Sequence, residues 1–237
     1  MTELFLYQTV HVCGGQPRLV EAHAARLTEA ARTLFGCRYA PDVRQLEARI
    51  AAAAKAERYP QSVSGFVRIE LTADGAERLC GGGVSYYDGY ALRSLRPDAC
   101  ALCYDLPMAE LPTSARETAA LLARRQAELA GAETAIRCDH DGICHTADDA
   151  PLFAVRGTTV CTTPAPPSVE RTLALRAIEA AGLELREEPL AREMLPRMDE
   201  LFYADHRGVT ALAHFEGMPY MALIAERVAK AMEKLFG

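Results

Sequence analysis

Long apolar runs are what this sequence most plainly lacks: no stretch of its 237 residues approaches the roughly 18 consecutive apolar positions a spanning helix needs. The opening segment, Met1 to Val12, has no basic leader followed by an apolar core, so no export signal is expected. Basic tracts are missing as well. Arginines are scattered along the chain, lysine occurs only as Lys55, Lys230 and Lys234, and the net charge is -6. A general nucleic-acid binder needs a basic footprint, which this chain does not offer. These absences predict a soluble, cytoplasmic protein with neither nucleic acid nor membrane as partner.

What is present suits a packed interior. Hydrophobic residues make up 50% of the chain, enough for one large core or two smaller ones. The eight cysteines are Cys13, Cys37, Cys80, Cys100, Cys103, Cys138, Cys144 and Cys161. Without an export signal they are expected as reduced thiols, mostly buried as small apolar groups. Cys100 and Cys103 form a C-x-x-C in the strand-like run ACALCY. Three residues apart on a strand, their side chains point to opposite faces, which speaks against a redox or metal pair.

Periodicity sets out the elements. Leu4 to Val12 reads as a strand turning at Gly14-Gly15, and Leu19 to Phe35 as a helix with Val20, Leu27, Ala30, Ala31 and Leu34 on one stripe. His23 and Arg26 sit on or beside that stripe. A second helix is expected from Pro41, as its first helical residue, to Ala56. Phe66 to Leu71 alternates as a strand, and Leu79 to Leu106 as two strands interrupted by Gly81-Gly82-Gly83 and Asp88-Gly89. The linker candidate is DLPMAELPTS. After it, Ser114 and Glu117 suit a capping box that opens a helix ending at Gly131. Thr134–Cys138 and Ile143–Thr146 read as hairpin arms, with another strand pair at Pro151–Val155 and Thr158–Thr163. A helix follows Pro166-Pro167-Ser168 and ends at Gly182, short strands lie near Leu201–Ala204 and Val209–His214, and a last helix spans Met218 to Phe236. Its expected buried stripe is Met221, Ile224, Val228, Met232 and Leu235. This order implies an α+β protein of two domains, 1–106 and 115–237, joined by a linker at 107–114.

Four stretches, LYQTVHVCGGQPRLVEAHAARL, FVRIELTADG, RCDHDGICHTADDAPLFAVRGTTVCTTP and MDELFYADHRGVTALAHFEG, resemble in order and spacing the class IV aminotransferases. That family includes D-amino-acid and branched-chain aminotransferases and aminodeoxychorismate lyase. The resemblance implies a two-domain fold, a homodimer, and a pyridoxal-phosphate site in the cleft between the domains. It places the phosphate arginine at Arg26 and an aromatic neighbour at Tyr7. It puts the Schiff-base lysine at Thr113 or Ser114, the carboxylate for the pyridinium nitrogen at Thr146, and phosphate contacts at Ser168, His206 and Arg207. Neither Thr113 nor Ser114 carries an amine, and a neutral Thr146 cannot hold the ring nitrogen protonated. Glu170, in the first turn after Ser168, would repel a phosphate dianion.

The leading expectation is therefore a class IV-fold protein that no longer transaminates and holds a small anionic ligand, or catalyses another reaction, with Arg26, Arg68, Arg171 and Arg207 as candidate positive groups. A surface or interface arginine is the plainer alternative for each of them, and for Arg68 a simple exposed same-face pair with Glu70. A working pyridoxal-phosphate aminotransferase or lyase is the second reading. A zinc site at Cys138, His140, Cys144 and His145, or a purely structural role, is the third; no metal is expected, because a hairpin does not converge those four side chains.

Overall fold

In the computed structural model of this chain, which describes residues 4–236, the apolar alternation after Leu4 becomes strand β1, Phe5–Cys13. Its buried positions include Leu6, Gln8 and Val10, one face of a pleated strand. A turn leads to β2, Gln16–Pro17, and then to α1, Val20–Leu34, and α2, Val43–Ala56. Pro41 is not the first helical residue. Asp42 is the N-cap, its carboxylate accepting from Gln45 N at 3.0 Å, so the proline stands just outside. Strands β3, Gly65–Thr72, and β4, Glu77–Val84, complete an antiparallel sheet in the order β2-β1-β3-β4.

The three-glycine run lies inside β4 rather than interrupting it. A β-carbon on Gly82 would stand 3.0 Å from Phe66 Cβ, and the register shifts between Gly65 and Val67. The missing side chains let two backbones approach where β3 is irregular. Leu6, Val10, Leu27, Leu46, Ile50, Ile69 and Leu71 form the core of this first unit. Each fully buried aliphatic side chain of this size contributes roughly 1.5–3 kcal/mol.

The second unit begins with β5, Asp98–Cys103. It continues through α3, Ser114–Leu129, β6, Thr134–Cys138, β7, Ile143–Ala147, β8, Ala150–Arg156, and β9, Thr159–Thr162. Next come α4, Val169–Ala180, β10, Glu184–Glu187, β11, Leu190–Ala191, and a 3-10 turn at Arg192–Arg197. The unit closes with β12, Glu200–Asp205, β13, Gly208–Ala211, β14, His214–Phe215, β15, Met218–Pro219, and α5, Leu223–Phe236. The sheet runs β10-β9-β8-β7-β6-β5-β14-β15, with β12 joined to β8 and β13, and β11 to β7. Phe153 of β8 stacks on Phe202 of β12 with centroids 5.1 Å apart, both fully buried.

The division between units differs from a boundary at 107–114. One unit takes in the residues up to Gly89 together with Met108–Arg116; the other takes Tyr90–Pro107 and the residues from Glu117 on. The reason is pairing. β5 runs parallel to β6, Ala99 opposite Thr134 through Cys103 opposite Cys138, while the proline-flanked segment returns to β1, where Leu6 bridges Thr113.

The last helix also starts later than Met218. Positive φ at Glu216 and Gly217 folds Met218 back onto Phe215 as the β14–β15 hairpin. The buried face of α5 is Ala225, Val228, Ala229, Ala231 and Met232, leaving Met221 52% and Leu235 43% exposed. Four strands escape periodicity altogether: β10 is ELRE, paired with its parallel partner β9, and β2, β11 and β15 are each two residues long. No helix among the described residues is long and apolar enough to cross a membrane.

Candidate functional site

In the first unit, β1 and α1 meet through a buried polar strip. His23 Nδ1 lies 2.9 Å from Gln8 Oε1, and Gln8 Nε2 donates to Tyr7 O at 3.0 Å. Burial lowers the His23 pKa to about 4, so the ring is neutral at pH 7 and Nδ1–H is the donor that Gln8 accepts. Further along β1, His11 Nε2 lies 2.6 Å from Ser64 Oγ, which also accepts from Gly89 N at 2.8 Å. His11 and Ser64 are both buried, and neither stood out in the sequence.

Arg26, one turn beyond His23, is half-buried and donates from Nη2 to the Glu110 carbonyl. That carbonyl belongs to the segment that also lies along β1. Tyr7 N donates to Pro112 O at 2.8 Å, and Phe5 N donates to Ser114 Oγ at 3.3 Å. Thr113, 3% exposed, is thus fixed beside Leu6. Tyr7 has a different cationic neighbour: the Arg68 guanidinium lies 4.2 Å from its ring centroid, while Arg68 Nε is 3.1 Å from Glu70 Oε1. The Arg68–Glu70 pair is real but largely covered, at 18% and 15% side-chain exposure, so it is more than a surface pair.

In the second unit, Thr146 lies on β7 opposite Arg137 and Pro151, half-buried. The next two residues, Asp148 and Asp149, have φ of 49° and 62° and make the tight turn between Ala147 and Ala150, the geometry of a two-residue type I′ hairpin. Asp148 receives two arginines, Arg124 and, at 3.3 Å, Arg207. The β12–β13 turn holds Asp205, His206 and Arg207. Asp205 is buried, and its carboxylate accepts Arg207 N at 2.8 Å and Arg207 Nε at 2.6 Å. Burial alone would raise the Asp205 pKa. The adjoining His206 and Arg207 charges and the Arg207 hydrogen bonds outweigh it and hold the carboxyl below its usual range. Arg207 is shifted up, since the Asp205 charge overcomes its own burial. The turn closes on Gly208, φ +122°, where a β-carbon would lie 2.5 Å from Ala91 O.

Ser168 is the N-cap of α4, its Oγ accepting from Arg171 N at 3.1 Å. Arg171 itself is 4% exposed, donating to Thr162 Oγ1 at 3.2 Å and pairing with Glu187. Near the same sheet, Glu200 is buried and accepts from Ile224 N at 2.8 Å and Ala225 N at 2.9 Å, capping α5. Its signal in the sequence was only a carboxylate before an apolar strand.

Of the expected residues, Tyr7, Arg26, Thr113 and Ser114 belong to the first unit, and Thr146, Ser168, His206 and Arg207 to the second. The hairpin cysteines and histidines do not converge on a metal-like cluster. His140 Nε2 pairs with Asp105 at 2.7 Å and His145 Nε2 with Asp139 at 2.8 Å, while Cys138 and Cys144 face each other. Among the described residues no group of His, Cys, Asp and Glu is placed to hold a metal ion.

A family model for amino-transferase class IV matches residues 6–205. The chain belongs to the class IV aminotransferase family. Solved structures share the fold at low sequence identity. A Legionella pneumophila protein named as a candidate 4-amino-4-deoxychorismate lyase superposes with a TM-score of 0.83 at 15% identity, covering 97% of this chain and 90% of that one. A branched-chain aminotransferase from Thermoproteus uzoniensis gives 0.82 at 14%, covering 98% and 85%. An aminotransferase from Brucella abortus bound to the co-factor PLP gives 0.79 at 17%, covering 96% and 87%. No curated protein matches the chain. This class IV aminotransferase fold is thus common ground with enzymes of different named activities, and activity has to be argued from the residues.

Proposed function

We propose that this class IV family member does not run Schiff-base transamination and instead binds a small anionic molecule, with Arg26 as its principal cationic contact. The observation that carries this reading is the fate of the amines. The three lysines, Lys55 on α2 and Lys230 and Lys234 on α5, are all exposed, and Lys230 pairs with Glu226 at 2.7 Å. A Schiff-base lysine has to be held away from water to keep its amine unprotonated. Thr113 and Ser114, where the family resemblance puts that lysine, carry no amine and are engaged with β1.

The remaining groups do not fit pyridoxal phosphate either. Thr146 is neutral where a carboxylate would face the ring nitrogen. The buried Asp205 carboxylate sits in the turn where the phosphate contacts would fall, and it already takes the Arg207 donors that a phosphate would need. Ser168 Oγ is the cap of its own helix. Family membership and relatives such as the PLP-bound Brucella abortus aminotransferase are what favour the second reading, a working pyridoxal-phosphate aminotransferase or lyase.

Homodimerisation in the cytoplasm completes the proposal. It is supported by the family resemblance and by Leu121, Leu122 and Leu129 of α3, which are 59%, 64% and 67% exposed and suit a protein partner. The test has two arms. Incubation with pyridoxal phosphate and borohydride is expected to give no stoichiometric phosphopyridoxyl adduct and no amino-acid turnover; both together at one of the three lysines would overturn the reading. Inorganic phosphate and small carboxylates are then screened by thermal shift. A rise is expected for at least one in the wild type and not in Arg26→Met, and equal rises in both would remove Arg26 from the role.

A further inference from the structure

The β6–β7 hairpin holds a pair of thiols that the anion-binding reading does not use. Cys138 and Cys144 are paired across the two strands, just past a register shift between Arg137 and Cys138. Asp139 N donates to Ile143 O at 2.9 Å, so the neighbouring Cys138–Cys144 position is a non-hydrogen-bonded pair, the kind that brings facing side chains closest. Such a pair sets its Cα atoms about 4.5 Å apart, within the roughly 4.4–6.8 Å that a disulfide spans. The two Sγ atoms are 3.1 Å apart. Both side chains are fully buried, in a core that includes Ile136, Leu190 and Leu195. Ordinary core cysteines require only apolar surroundings; here two sulfurs are in register, adjacent and aimed at each other.

We propose that Cys138 and Cys144 are a modification site, converted by hydrogen peroxide into a reversible intramolecular disulfide. The oxidant is assigned by size. Thiols with no exposed surface are closed even to water, so oxidation waits on a local opening of the hairpin, and hydrogen peroxide, scarcely larger than water, needs the smallest one. Cys138 is the first nucleophile. The hydrogen bond from the Cys144 thiol outweighs burial and lowers the Cys138 pKa, with the Arg192 guanidinium adding to the effect, while the same hydrogen bond and burial push Cys144 up.

In the first step the Cys138 thiolate attacks one peroxide oxygen. The O–O bond breaks, the departing hydroxide takes a proton and leaves as water, and Cys138 becomes a sulfenic acid. In the second step the Cys144 sulfur attacks the Cys138 sulfur, the S–O bond breaks, and the leaving hydroxide takes the Cys144 proton as a second water. Two thiols and one peroxide give one disulfide and two waters; the sulfurs lose two electrons and the peroxide gains them. A dithiol reverses the reaction by exchange once the hairpin opens or the protein is unfolded. The new bond would close the ring around the Asp139–Gly142 turn and tie β6 to β7 beside the Asp139–His145 pair.

Tryptic cleavage after Arg137 and Arg156 puts both cysteines in one peptide, Cys138–Arg156. The folded full-length protein is treated with hydrogen peroxide, quenched in acid, alkylated and digested. The expected peptide carries no alkyl group and is lighter than the unalkylated reduced form by two hydrogens; dithiothreitol before alkylation restores two alkyl groups. In Cys144→Ala, dimedone is expected to trap a sulfenic acid at Cys138. The wild-type mass stands on its own if that variant does not fold. A doubly alkylated peptide after peroxide, an over-oxidised Cys138 beside an alkylated Cys144, or a link from Cys138 to Cys103 would each overturn the proposal. Dithiothreitol-reversible loss of alkylation in protein already unfolded in urea, at the same rate as in the folded protein, would overturn it too, because the pairing would then owe nothing to the fold.

Discussion

The Asp205 carboxylate accepts both the backbone N–H and the guanidinium of Arg207, two residues further along the same turn. An acid and a base that satisfy each other inside one turn form a unit that is costly to halve. Asp205→Asn removes one of the two carboxylates on the Arg207 guanidinium, Asp148 remaining at 3.3 Å, and is expected to cost about 2 kcal/mol, read by urea unfolding. The sign with pH follows from the depressed pKa. The stabilisation is complete above the unfolded value of about 3.9 and is lost as the pH falls through the lower folded value. The variant should therefore lose acid sensitivity below about pH 4, and an unchanged acid limb would count against the assignment.

His23 behaves oppositely in range. Its folded pKa of about 4 lies under its unfolded value of about 6.5. Above pH 6.5 both states are neutral and the full stability is present. Between 6.5 and 4 the unfolded chain takes the proton first, and about 3 kcal/mol is lost over that interval. His23→Gln, which can still donate to Gln8, should flatten the stability profile between pH 6.5 and 4 and leave the region below 4 unaltered. Urea titrations at a series of pH values separate the two residues.

Glu200 anchors the start of α5 by accepting the N–H groups of Ile224 and Ala225. Glu200→Ala strips those donors of their partner and should cost about 2 kcal/mol. Hydrogen exchange at the Ile224 and Ala225 amides should accelerate more than at Met232, near the far end of the helix. Uniform acceleration along α5 would instead mean that the carboxylate acts on the whole unit.

Gly208→Ala tests the turn from its other side. The added methyl would meet the Ala91 carbonyl at 2.5 Å in a backbone conformation of φ +122°. A loss of at least about 2 kcal/mol is expected in thermal unfolding, and a neutral result would show that the Tyr90–Ala91 backbone gives way freely.

The sequence disclosed the large elements because their periods are local. α1 shows its stripe through Val20, Leu27 and Ala30, and β3 alternates from Phe66 onward. It could not disclose β10, whose polar ELRE is a strand only by virtue of β9, nor the seat of β5, which depends on β6 thirty residues downstream. Site residues followed the same rule. The place of Arg26 behind His23 on a helix was legible, while its role as an anion contact came only from the resemblance. The Asp205–Arg207 closure was less so, because nothing in ADHR says that the carboxylate turns inward. Thr146 and Ser168 were named by resemblance; their surroundings came only from strand pairing and capping.

The strip from Met108 to Arg116 has one further consequence. The chain departs the first unit at Gly89, comes back at Met108 to line β1 with Pro112 and Thr113, and departs again after Arg116. A gene fragment ended at Gly89 would encode a sheet with one flank stripped of its native cover. The two units are thus interleaved along the chain, and no single cut leaves both of them whole.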